Sequence, residues 1–206
     1  MDYTTVARVK QEIHAVSGSS VDDGLLGLCV TAASRGWDRF CTGVPDAVDY
    51  FKTDDVVDEK LTGQIDYLGK RIICYPHKPI INSVSAFSYQ YTVVDEVHTV
   101  PVARIEAIGP RVDAFPESLP SEFPRNCRIT ISYNGGLGTA ITDLPEDMQE
   151  AVAILAVRFY REAETGLTDQ IGVAELSTLV YTKALPVRVA HLIEYYRRRV
   201  GWRHVG

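Results

Sequence analysis

Gly135, Gly136 and Gly138 crowd together just after an alternating stretch, Cys127-Arg-Ile-Thr-Ile-Ser-Tyr133. Glycines packed behind a strand can wrap a phosphate. They can also simply let a chain leave a sheet. A dinucleotide fingerprint needs G-x-G-x-x-G with a helix opening at once. Here Gly138 is followed by Thr139, Ala140 and Ile141, so the third glycine is absent. A P-loop needs a Gly-Lys-Ser/Thr ending, and the sequence has none. The next helix is expected only after a cap at Asp143, so its N–H groups would not point at the loop. The turn is therefore the favoured reading, with Asn134-Gly135 supplying the positive-φ residues that such a turn uses. No cofactor site is assigned.

Other residue types that could do chemistry lack the spacing for it. The histidines (His14, His77, His98, His191, His204) include no i,i+4 pair and no H-E-x-x-H. The cysteines (Cys29, Cys41, Cys74, Cys127) include no C-x-x-C pair of the kind thiolate zinc sites use. They are expected to be reduced and mostly buried, as small apolar residues. No G-x-S-x-G elbow occurs, which removes an α/β-hydrolase. The carboxylates Asp54-Asp55 and Asp58-Glu59 read as a solvated loop. The sequence thus assigns no catalytic residue and no metal ligand, although an enzyme whose site forms only in the fold stays open. The tail "EYYRRRVGWRHVG" is more informative. A helix C-terminus accounts for one or two arginines. It accounts less well for Trp202 beside Arg203. Arginines and aromatics anchor interfaces, so Arg197, Arg198, Arg199, Trp202 and Arg203 are the candidate partner-binding residues.

These residues need elements to hold them. Val6, Val9, Ile13 and Val16 recur at helical spacing behind a cap at Thr4 or Thr5, and Gly18 ends that helix. Ser20 and Asp23 resemble a capping box for a second helix over 21–41. Its apolar stripe is expected at Leu25, Leu28, Cys29, Ala32, Ala33, Trp37 and Phe40. From 46 to about 140 helical spacing gives way to short β-rich runs: 47–52, 70–75, 84–91, 100–107 and 128–133. They predict a small antiparallel sheet of five strands. The segment 109–126 contains four prolines and reads as a long exposed loop. Pro145 opens a third helix, with Met148, Ala151, Val152, Leu155, Ala156 and Phe159 as its stripe. A short strand is expected over 176–182. Pro186 opens a last helix, with Val189, Leu192, Ile193 and Tyr196 facing inward. The class is α+β: a small bundle of about four helices with an inserted antiparallel β-sheet subdomain. One composite domain is expected, with a helix pair at 1–44, a β-rich insertion at 45–140, and helices plus a basic tail at 141–206. Val9, Ile13, Leu28, Leu155 and Ile193 are expected to pack together.

Composition narrows the function classes. The chain has 206 residues, 46% of them hydrophobic, which supports a packed core. The formal net charge is −6. Residues 186–206 hold five arginines and one glutamate, so the remainder carries −10. A free-standing DNA-binding domain is more often basic. No apolar run approaches the ~18 residues that span a bilayer, and no signal-peptide apolar region opens the chain. A soluble protein made in a cytoplasm is expected, with no membrane partner.

Taken in order, several stretches resemble the head–tail connector, or adaptor, proteins of tailed bacteriophages. "YTTVARVKQEI" and "VDDGLLGLCVTAASRGWDRFCTG" are similar to that family's opening helix pair. "RIICYPHKPIINSVSAF" is similar to its strand–Pro–strand passage. "ITISYNGGLG" with "LPEDMQEAVAILAVRFYRE" is similar to its last strand, glycine turn and third helix, and "LPVRVAHLIEYYRRR" to its closing helix. The resemblance covers roughly two-thirds of the chain. It implies a non-enzymatic virion protein, assembled in the host cytoplasm and located in the neck between head and tail. Its partners would be the portal protein, neighbouring copies in a ring of twelve, and a tail-side neck or stopper protein. Packaged DNA would pass through the channel without sequence-specific binding. The family's C-terminal segment implies portal contacts for Arg197–Arg199 and Trp202. A nucleic-acid-binding module using the same arginines is the alternative.

Overall fold

A computed structural model describes residues 1–14, 22–43, 47–92, 95–119, 125–164, 170–173, 176–180 and 185–199. Contacts within the chain gather into two compact units. One is built from Met1–Asp49 with Ala140–Tyr196, and the other is centred on Tyr50–Thr139.

The first unit is helical. α1 (Val6–His14) starts where the Thr5 hydroxyl accepts the Arg8 N–H at 3.1 Å. α2 (Asp23–Thr42) is capped by the Asp22 carboxylate, which accepts from the Gly24 and Leu25 N–H groups, and it ends at left-handed Gly43. Its buried face is Leu26, Cys29, Val30, Ala33, Ser34, Trp37, Asp38 and Cys41. The expected stripe is thus turned about the helix axis: Leu28 is 71% exposed and Ala32 is exposed. The reason is polar. Tyr3 N–H donates to Ser34 Oγ at 3.0 Å and Tyr3 OH to Asp38 Oδ1 at 2.6 Å. Two polar residues are thereby satisfied on the inner face, and apolar periodicity cannot foresee that.

α3 (Glu146–Glu164) buries Met148, Ala151, Val152, Leu155 and Ala156 as expected, and leaves Phe159 half-buried. It packs against both α1 and α2, and Arg8 donates to Gln149 across the α1–α3 contact at 3.3 Å. α4 (Val187–Arg199) turns Val189, Ile193 and Tyr196 inward. Tyr196 sets its ring edge-on to Trp37, 5.7 Å between centroids, and donates to Asp147 at 2.7 Å, so one side chain ties α4 to α2 and α3. Of the residues expected to pack together, Val9, Ile13, Leu155 and Ile193 are buried and Leu28 is not.

The second unit is a seven-stranded antiparallel sheet, larger than the five strands expected, in the order β4-β3-β7-β1-β2-β6-β5. The strands are β1 (Asp54–Asp66), β2 (Arg71–Cys74), β3 (Ile81–Gln90), β4 (His98–Thr99), β5 (Ile105–Ile108), β6 (Arg111–Ala114) and β7 (Asn126–Gly135). The sheet curls into a half-barrel, and its margins approach where Ile81 N–H donates to the Gly109 carbonyl at 3.0 Å. Short, partly covered margins leave little open edge for unwanted pairing. Cys127, Ile129, Ile131 and Tyr133 line the inside as the alternation predicted, with Ile72, Phe87 and Val112.

Two expectations are corrected here. Residues 47–52 form no strand of the sheet, and the strand lies instead over the acidic run read as a loop. Aspartate disfavours strands, but each of three carboxylates meets a cross-strand donor. Asp55 accepts from Asn134, Asp58 from Ser132, and Glu59 from the Tyr133 hydroxyl. The proline-rich segment also contains β6, joined to β5 by a Gly109-Pro110 turn with Gly109 at φ +61°. A further hairpin pairs β8 (Gln170–Val173) with β9 (Leu176–Val180), the second within the strand expected at 176–182.

Candidate interaction surfaces

The glycine turn is structural. Gly136 N–H donates to the Ile80 carbonyl at 2.9 Å and Leu137 N–H to the Phe51 carbonyl at 2.8 Å, while Thr53 N–H donates back to the Gly138 carbonyl at 2.8 Å. Gly136 sits at φ +135°, and a Cβ there would overlap the Lys52 carbonyl. Two of the N–H groups that could cradle a phosphate are thus occupied by neighbouring chain.

The four thiols are buried and form no disulfide. Burial pushes Cys74 up to about 12 and Cys127 up to about 11. Among the described residues no three metal-ligating side chains converge, and no helix is long and apolar enough to cross a membrane. His77 stands edge-on to Tyr50, and its backbone N–H reaches Glu59 at 3.1 Å; His98 stacks on Tyr89 at 5.2 Å. Glu59 also accepts the Tyr133 hydroxyl at 2.6 Å, and the same hydroxyl accepts the Lys78 N–H at 3.3 Å. Burial and the Glu59 hydrogen bond push the Tyr133 phenol well above its usual range. Lys78 Nζ donates to the Lys52 carbonyl at 2.9 Å and pairs with Asp54 at 3.3 Å. Each of these groups ties loop to sheet.

Of the predicted partner-binding residues, Arg197 is exposed on the last turns of α4, and Arg198 and Arg199 complete that helix. Trp202 and Arg203 lie outside the described residues. The structure adds a feature that sequence reading passed over, the β1–β2 hairpin tip. Asp66 Oδ1 accepts the Gly69 N–H and Asp66 Oδ2 the Arg71 Nε–H, each at 3.0 Å. The Gly69 N–H bond, then Arg71, hold the Asp66 carboxyl below its usual range. Arg71 also donates at 2.9 Å to Asp113, a fully buried carboxylate that Arg111 contacts at 2.8 Å. Lys70 takes a left-handed φ of +49°, and Leu68 at the apex is 100% exposed. The only sequence signal was a lone leucine before Gly69-Lys70, and nothing in its spacing says where it points.

No family model matches the chain, and no curated protein matches it. Solved structures do. A chain in the neck of an empty GTA particle, computed with C6 symmetry, aligns with a TM-score of 0.51 and 18% identity, over 95% of this chain and 89% of that one. A chain in the virion of a native gene transfer agent (GTA) particle aligns with a TM-score of 0.49 and 18% identity, over the same shares. The first likeness covers nearly the whole of both chains, so the α+β fold of this protein is one that a chain of a GTA neck also has.

Proposed function

We propose that this protein is a structural, non-enzymatic virion protein: an adaptor in the neck of a phage-like particle. Copies of it form a ring of twelve that binds the portal, extends the DNA channel and offers a docking surface to tail-side neck components. The observation that carries this reading is the fold shared, end to end, with a chain of a GTA neck. The sixfold symmetry applied to that neck is compatible with a twelve-membered ring. Charge supports a channel role, because a body carrying −10 outside its C-terminal segment repels a phosphate backbone and lets it slide. Arg197–Arg199, Trp202 and Arg203 are assigned to the portal contact, where arginine and tryptophan make efficient anchors.

Electron microscopy of the purified chain mixed with the portal protein of its own particle tests this. A closed ring of this chain on the portal is expected. A chain that stays monomeric and unattached would dispose of the reading. Tight DNA binding by the isolated chain, with a steep loss of affinity as salt rises, would favour a nucleic-acid-binding module built on the same arginines.

A further inference from the structure

We propose that residues 50–139 fold and open as a cooperative unit of their own, closed at the base by a clasp in which Lys78 holds the incoming chain against the outgoing one. The clasp lies within the β unit and is independent of any portal or ring contact.

The chain enters the β unit at Tyr50 and leaves it at Thr139. The two ends run side by side. Lys52 and Gly138 form a parallel bridge, with Leu137 N–H donating to the Phe51 carbonyl and Thr53 N–H to the Gly138 carbonyl, both at 2.8 Å. A third segment is tied to them. The Ile80 carbonyl accepts the Gly136 N–H at 2.9 Å, and the Lys78 N–H reaches the Tyr133 hydroxyl at 3.3 Å. Lys78 itself is only 8% exposed. Its Nζ donates to the Lys52 carbonyl at 2.9 Å and pairs with Asp54 at 3.3 Å. Its Cβ lies so close to Gly135 that a side chain there would strike it. Burying an ammonium disfavours folding unless it is paired and hydrogen-bonded. Lys78 meets both conditions at the point where the two ends of the unit join.

Joined ends matter because of chain entropy. The helical unit is drawn from Met1–Asp49 and Ala140–Tyr196, so the β unit is a long interruption in it. An unfolded interruption of that length would oppose closing the helical unit. With its ends clasped, the β unit acts on the helical unit as a short loop would. Neighbouring ends are also what allows one folded unit to be inserted in another. Among the described residues, the apolar cluster of the β unit is drawn wholly from residues 56–133. At about 90 residues the unit exceeds the size at which many domains fold alone. Size, a core of its own and joined ends all favour a unit that opens without the helices.

Native-state hydrogen exchange of the full chain tests this. Leu26→Ala loosens the core of the helical unit, and the conservative Ile72→Val that of the β unit; both side chains are 0% exposed. Leu26→Ala should speed the slowest amides of α2 and α3 at least about tenfold and leave those of β1 and β7 unchanged. Ile72→Val should speed the slowest amides of β1 and β7 about threefold and leave those of α2 and α3 unchanged. Lys78→Met should speed the clasp amides of Thr53, Gly136 and Leu137 at least about fivefold. Lys60→Met, on an exposed lysine of β1, should leave them unchanged. If either core substitution speeds the slowest amides of both units, the chain opens as one body and the proposal falls. Clasp amides that exchange no faster in Lys78→Met than in Lys60→Met would overturn the role of Lys78.

Discussion

At the scale of single residues, Gly136 and Gly43 separate two effects that sequence cannot. Both have positive φ, but a Cβ at Gly43 meets nothing within 4 Å whereas one at Gly136 meets the Lys52 backbone. Gly43→Ala is expected to destabilise by about 1 kcal/mol through backbone conformation alone. Gly136→Ala should lose on the order of 2–4 kcal/mol, because the crossing chain must also move. Urea unfolding of the two variants measures the difference. Asp54 gives a pH test. Burial raises its carboxyl, but the Lys52 hydrogen bond and the Lys78 charge outweigh this and hold it below its usual value. The stabilisation is therefore complete above the unfolded value of about 3.9 and is lost as pH falls through the lower, folded value. Asp54→Asn should flatten the acid limb of the stability profile below about pH 4. The change should be small, since the side chain is 37% exposed and solvent screens the pair. Melting curves from pH 2.5 to 7 would show it. That the glycines form a turn was legible from missing neighbours, the absent third glycine and the absent lysine. That Gly136 permits one segment to cross another was not, because residues 52 and 136 are brought together only by the fold.

At the scale of elements, the helices were legible from their periodicity, and the facing of α2 was not. Leu25, Leu28 and Ala32 look as apolar as Leu26 and Val30. The choice between the two stripes was made by Tyr3, which draws Ser34 and Asp38 inward. Leu26→Ala should accordingly destabilise by about 2–4 kcal/mol, and Leu28→Ala by less than about 0.5 kcal/mol. Equal midpoints in urea for the two variants would show that the facing is wrong. The strands divide the same way. β7 was readable because one face is apolar and the other polar. β1 was not, because its acidic residues are tolerated only through donors on β7, nearly eighty positions away.

At the scale of the whole molecule, the proposed portal contact of the C-terminal segment is separable by truncation from the folding of the body. Deleting Arg197–Gly206 keeps Val189, Ile193 and Tyr196, the inward residues of α4. The shortened chain is expected to fold, with an unchanged circular dichroism spectrum, and to fail to attach to the portal. Normal attachment would reassign Arg197, Arg198, Arg199, Trp202 and Arg203. The sequence by itself determined the α+β class, the helical segments, the inner face of β7 and the lack of a nucleotide-loop motif. These depend on local spacing and side-chain chemistry, which short stretches carry within themselves. Only the tertiary structure decided which stripe of α2 is buried, that an acidic run is a strand, that seven strands curl into a half-barrel, and that Leu68 stands on a braced hairpin tip. Each of those depends on partners distant in the chain, and a linear pattern holds no record of which distant groups will meet.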